Sequence, residues 1–234
     1  LSVMRRGEGD GVRVLNGRDG EWRGVLHAVG KRDASLELVE PTREQAFGPD
    51  VELLFAPVKK ARTDFIVEKA VELGAARIRP VITDRTASER VRPDRLNALA
   101  REAAEQTERL DLPLVHDAQR LLDALDRWDA SRRLIYCDEA GDDAAAPWGG
   151  ATGRAEPILQ ALSRFASHNT PAQSPGKWAI LIGPEGGFSV EERARLRGLD
   201  FVVPVTLGPR ILRADTAAAA ALSVWQAVLG DWSG

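Results

Sequence analysis

The stretch Trp178-Ala179-Ile180-Leu181-Ile182-Gly183-Pro184-Glu185-Gly186-Gly187-Phe188-Ser189-Val190-Glu191-Glu192 decides how this chain is read. Trp178 to Ile182 is a short unbroken apolar run, which suits a strand buried in a parallel sheet. Gly183 to Gly187 reads as a loop whose glycines let backbone approach a ligand and adopt positive φ. Ser189 reads as a helix N-cap and Glu192 as its capping-box partner. A second strand–loop–helix unit follows. Phe201 to Thr206 is strand-like, Leu207-Gly208-Pro209-Arg210-Ile211-Leu212-Arg213 is the loop, and an alanine-rich helix runs from Ala214 to Leu229. Two glycine-bearing loops of this kind, close in sequence, are what a ligand site at the carboxyl end of a parallel sheet needs.

Working outward, the α/β pattern starts at Val51. Val51 to Ala56 is a strand, and Thr63 is positioned to cap a helix that ends at Gly74, with Ile66, Ala70 and Leu73 on one face. Arg77 to Ile82 is the next strand, Pro93 to Leu110 a long helix, Leu134 to Cys137 a strand, and Glu156 to Ala166 a short helix. Residues 139–155 and 168–176 read as loops. Residues 1–46 have a different pattern. Val12 to Leu15, Trp22 to Val29 and Ala34 to Val39 are strand-like and are separated by turn chemistry, which fits a small antiparallel barrel. Gly7-Glu8-Gly9-Asp10-Gly11 superficially suggests the GxGxG of a Rossmann fold but precedes a strand rather than a helix, so it reads as a loop.

Composition sets bounds. A chain of 234 residues can hold one large domain or two modest ones, and 44% hydrophobic residues is ordinary for a globular protein. No run approaches the roughly 18 apolar residues of a membrane span. No signal-peptide pattern opens the chain, and Cys137 is its single cysteine, so no intrachain disulfide can form and a cytoplasmic location is expected. His27, His116 and His168 lack metal-ligand spacing, so no metal is expected. The net charge of -3 does not advertise nucleic-acid binding, so any RNA surface must be a local patch.

The two loops resemble the signature of the SPOUT (knotted) methyltransferases, and more closely the ribosomal RNA small-subunit methyltransferase E family. The resemblance rests on Ile182 to Glu192 and Leu207 to Ala217. It extends to Lys59, Asp64, Glu68-Lys69-Ala70 and Glu72-Leu73-Gly74, and to Glu102-Ala103-Ala104-Glu105-Gln106, Arg109 and Leu112-Pro113, roughly residues 50 to 230. Two positions depart from it. Asp215 stands where the family usually has Glu, and Thr107-Glu108 stand where a small residue and Gly are common. The resemblance implies an α/β knotted methyltransferase domain with a parallel sheet over residues 50–234. Ahead of it, a small PUA-like, RNA-binding β-barrel would occupy residues 1–46, its first strand lying outside the sequence. The implied activity is transfer of a methyl group from S-adenosyl-L-methionine to N3 of one uridine in 16S rRNA. The implied partners are 16S rRNA or the 30S subunit and a second copy of the chain, with no membrane and no metal.

In that reading Leu181, Gly183, Pro184, Glu185, Gly186, Gly187, Leu207, Gly208, Ile211, Leu212, Arg213 and Thr216 hold the cofactor. The glycines expose backbone, and the aliphatic residues form an apolar slot. Arg213, Glu185 and Arg210 are the catalytic candidates, since guanidinium groups offer fixed paired donors to carbonyl or phosphate oxygens. Arg5, Arg6, Lys59, Lys69, Gln106 and Arg109 are the RNA-binding candidates. Three rivals stand beside this reading: methylation of another rRNA or tRNA position, a non-catalytic RNA-binding assembly factor, and a phosphate-binding protein using the helix start after Ser189.

Overall fold

The computed structural model describes residues 7–28, 33–87, 91–138, 155–166 and 176–232. The chain divides into two compact units, Leu1–Phe47 with Ala104–Leu112, and Gly48–Ala103 with Pro113–Gly234.

In the small unit, β1 (Gly11–Leu15), β2 (Glu21–Ala28) and β3 (Ala34–Arg43) form an antiparallel sheet in that order. The β1–β2 turn is built on Asn16, whose side chain accepts from the backbone N–H groups of Arg18 and Asp19, and on Gly17 and Gly20 at φ +80° and +77°. The strand β3 runs past the expected Val39. Near its end, Thr42 and Arg43 each donate at 2.8 Å to the carboxylate of Glu21, which is 4% exposed. Among the described residues the sheet is open. The adjacent Leu38 and Val39, which face opposite sides, are both exposed, so the expected closure into a barrel is not seen. Ala104–Leu112 joins this sheet through Arg43 donating to the Glu108 carbonyl (3.0 Å) and Gln45 donating to the Leu110 carbonyl (3.1 Å).

The large unit contains, in chain order, β4 (Val51–Phe55), α1 (Lys60–Glu72), β5 (Arg77–Ile82), α2 (Pro93–Gln106, whose last turn reaches the small unit), β6 (Leu114–Val115), β7 (Gln119–Arg120), α3 (Leu121–Asp126), β8 (Arg132–Cys137), β9 (Glu156–Pro157), α4 (Ile158–Ala166), β10 (Lys177–Ile182), α5 (Val190–Arg197), β11 (Val202–Thr206) and α6 (Ala214–Val228). The strands are parallel in the order β6-β5-β4-β10-β8-β11-β9, with β7 alongside β5. Alternation sorts their side chains. Leu54, Leu134, Tyr136, Ala179 and Leu181 share one cluster with Leu121 and Leu125 of α3, Leu196 of α5 and Phe188. The helix α6 packs against α1, α4, β4 and β10, and its buried face carries Ala217, Ala218, Ala221, Leu222 and Trp225. Small residues there let the helix backbones come close.

Three expectations shift. The helix α1 starts at Lys60 rather than after Thr63, because the Thr63 hydroxyl is engaged with the backbone of Val58, accepting from its N–H and donating to its carbonyl. Glu156 and Pro157 form a short strand before α4, which starts at Ile158. The helix α2 stops at Gln106, not Leu110. It ends in a Schellman turn, with Arg109 N–H on the Ala104 carbonyl, Glu108 N–H on the Glu105 carbonyl, and Glu108 at φ +54°. By contrast Gly74 ends α1 at φ +83°, as its sequence position suggests.

Glu108 is the one described non-glycine residue at positive φ, a conformation that costs about 1–2 kcal/mol with a side chain. Its compensating ion pair to Arg13 (2.8 Å) is exposed on both sides and weak. Glu108→Gly is therefore expected to raise unfolding stability by about 0.5–1 kcal/mol in urea titration. Glu108→Val should lower it.

Candidate active site

The register of the sheet puts three strand ends level. Leu181 pairs with Tyr136 and Cys137 with Val205, so β10, β8 and β11 finish side by side with β8 in the middle. The segments leaving these ends surround one cleft of about 410 Å³. Its lining runs from Tyr136 to Asp138, from Ile182 to Phe188 and from Ile211 to Ala214, with Arg193 and Ala217 from the two helices.

The glycine loop is fixed by residues outside it. Ser189 and Glu192 form the expected capping box, with Glu192 N–H donating to Ser189 Oγ (3.2 Å) and Ser189 N–H donating to Glu192 Oε2 (2.9 Å). The other Glu192 oxygen accepts from Asp84 N–H at 2.9 Å, and Ser189 Oγ donates to Asp84 at 2.6 Å. Two carboxylates thus occupy the α5 start, leaving no anion site there and removing the phosphate-binding rival. Arg85 donates to the Gly186 carbonyl at 2.9 Å. Arg62 reaches the glycine loop and the first turn of α6, at 3.3 Å from Glu185 and 3.9 Å from Asp215, so the shorter carboxylate at 215 still has a cation beside it.

The glycines differ in what they require. A Cβ on Gly183 would sit 2.6 Å from the Phe188 ring, which packs edge-on against Tyr136. Gly187 and Gly208 stand at φ +67° and +116°. Gly186 is not in the left-handed region, and a Cβ there would meet Arg85 at 3.4 Å, an ordinary contact.

Of the residues picked from sequence, Gly183, Pro184, Glu185, Gly186, Gly187, Ile211, Leu212 and Arg213 line the cleft. Leu207, Gly208, Arg210 and Thr216 lie outside that lining, and Leu181 is wholly buried in the core cluster below it. Lys69 is spent on Glu72 (2.7 Å) and the Phe65 ring, and Arg109 on Asp111 (2.6 Å). Gln106 is exposed beside Glu105 and Glu108, and Lys59 is exposed at the α1 start. Arg5 and Arg6 lie outside the described residues. Sequence reasoning missed Tyr136, Cys137, Asp138 and Arg193. Asp138 is 3% exposed and held by Arg197 (2.5 Å) and Arg193 (3.6 Å). Its position just past a recognised strand was the available signal. Tyr136 Oη is buried without a hydrogen-bond partner, and burial, then the Asp138 charge, raises the phenol's pKa, so it stays protonated.

A parallel α/β sheet with a cleft built from adjacent strand-to-helix loops defines an RNA methyltransferase domain here, since the family model of that description matches residues 46–226. The chain is 32% identical over 231 residues to a ribosomal RNA small subunit methyltransferase E from Synechocystis sp., covering 97% of this chain and 69% of the relative. It is 30% identical over 232 residues to the Bacillus subtilis protein of the same name, covering 95% and 84%. Its fold matches a methyltransferase from Legionella pneumophila solved with bound SAM, at TM-score 0.76 and 26% identity, covering 98% and 87%. The chain belongs to the ribosomal RNA small subunit methyltransferase E family. No described helix is long and apolar enough to cross a membrane, and no described cluster of His, Cys, Asp or Glu could hold a metal.

Gly187→Val should cost about 1–3 kcal/mol of stability, because a branched side chain is forced into positive φ. Gly186→Ala should cost less than about 1 kcal/mol. Urea titration of both variants checks the difference, and equal losses would contradict this loop geometry.

Proposed function

We propose that this protein transfers the methyl group of S-adenosyl-L-methionine to N3 of a uridine in 16S rRNA, on the small ribosomal subunit. The observation that carries the proposal is the meeting of both glycine-bearing loops and the end of β8 around one cleft. A volume of about 410 Å³ suits a cofactor of this size. Ile182, Phe188, Leu212 and Ala217 offer an apolar slot for the adenine, and the Gly183–Gly187 backbone offers hydrogen-bonding groups for its edge. The cofactor supplies an electrophilic methyl group on a sulfonium.

The residues around the cleft divide the remaining work. Arg213 is exposed at the rim and has no ion pair among the described residues, so its paired donors are available to uracil oxygens, where charge grows as the imide proton leaves. Glu185 is held by Arg62 and Asp138 by Arg193 and Arg197. Neither carboxylate is a free base, so we assign the proton to solvent at the open mouth. Glu185 keeps the glycine loop in place, and Arg210, exposed beside the rim, suits a phosphate. We further assign residues 1–46 to a PUA-like RNA-binding domain and 50–234 to the methyltransferase domain, with a knotted C-terminal segment and a homodimeric, cytoplasmic enzyme.

Calorimetry with S-adenosylhomocysteine and single-turnover methylation of 30S subunits test the assignment. Arg213→Ala is expected to slow transfer about 100-fold with cofactor affinity within about twofold of wild type. Loss of affinity with the transfer rate at saturation preserved would move Arg213 to cofactor binding.

A further inference from the structure

A second cavity, of about 510 Å³, opens beside the first turns of α1 and α2. Lys60, Thr63 and Asp64 line it from α1, three positions that share one face of the helix. Arg62 falls on another face and reaches the glycine loop. The first turn of α1 therefore stands as a wall between the two cavities, about one helix diameter, ~10 Å, thick. Pro57, Val58, Val91 and Leu96 give the second cavity an apolar side, and Lys60, Arg92, Asp64 and Arg95 give it a polar one.

Charge pairing there is incomplete. Arg95 is bonded to Asp64 Oδ2, whereas Lys60 and Arg92 are exposed and have no ion pair among the described residues. The other Asp64 oxygen, Oδ1, is buried and has no donor. The placement of the cations also breaks a local rule. Lys59, Lys60 and Arg62 crowd the start of α1, where the helix dipole favours anions, and that turn has neither a side-chain cap nor an acidic residue. Sequences break such rules mainly where function requires it.

We propose that this cavity is a nucleotide subsite for the substrate RNA. It takes the backbone phosphate of a nucleotide near the methylated one, held between the exposed Lys60 and Arg92. The proposal rests on the rRNA methyltransferase reading and adds the element that grips the strand beside the target.

The test is Lys60→Ala/Arg92→Ala in the full chain, with affinity for a 16S rRNA fragment measured at several salt concentrations. RNA affinity should fall about tenfold near physiological salt. The slope of log affinity against log salt should flatten by about 0.7, the loss of one single-strand phosphate contact. S-adenosylhomocysteine affinity and the single-turnover rate at saturating RNA should not change, and Lys177→Ala, at the opposite end of the sheet, should leave RNA binding at wild-type strength. Should the double variant fail to bind S-adenosylhomocysteine, Lys60→Gln and Arg92→Gln separately carry the same expectations at smaller size. Unchanged RNA affinity and slope in cofactor-competent variants would overturn the subsite. A wild-type protein that transfers no methyl group would instead overturn the enzyme reading.

Discussion

Glu192 is 2% exposed, and its carboxylate accepts one hydrogen bond from Ser189 N–H in its own helix cap and another from Asp84 N–H in the loop after β5. A buried carboxylate is tolerable only with such donors, and removing them from a buried charge costs several kcal/mol. The start of α5 therefore has one low-energy position relative to the β5 loop. Arg85, next to Asp84, then meets the Gly186 carbonyl, and Phe188 closes over Gly183 against Tyr136. The cleft is shaped by this chain of contacts, and Arg62 carries it to the start of α6 through Glu185 and Asp215. A methyl transfer in which positioning and electrostatics do most of the work needs such a preorganised cleft.

The opposite end of the sheet is held by charges instead. Arg132, 7% exposed, bridges Asp50 and Glu52, while Arg77 pairs with Asp50 and Arg79 with Glu52. Arg79 also lies 3.2 Å from His116 Nε2. Burial and then the Arg79 charge lower the pKa of His116, so its ring is held neutral and can accept from Arg79. Those cations are mutually committed, and Lys60 and Arg92, at the other end of β4 and β5, are not.

The readable parts of the sequence were the local ones. The capping box at Ser189 and Glu192, the positive φ of Gly74 and the apolar strand of β10 depend on residues a few positions apart. The cleft was legible to the extent that it is made of its two loops. What did not read out depends on tertiary register. The side chain of Leu181, a residue the sequence offers as a cofactor contact, is sent by alternation along β10 into the core with Leu54 and Tyr136. Arg62, Arg85 and Asp84 meet residues about a hundred positions away, and no spacing announces that. Ala104–Leu112 belongs with the small sheet because Arg43 and Gln45 bond its carbonyls, a link invisible to helical periodicity.

Transfer by this cleft of a methyl group to N3 of a uridine in 16S rRNA, as proposed, is tested most directly by its product. The measurement is to incubate the protein and methyl-deuterated S-adenosylmethionine with 30S subunits from a strain lacking that modification, digest the rRNA to nucleosides, and identify the labelled product by mass spectrometry. Label is expected in 3-methyluridine, present with wild type and strongly reduced with Arg213→Ala. Label on a ribose oxygen or on another base, or no label from a protein that binds the cofactor, would contradict it.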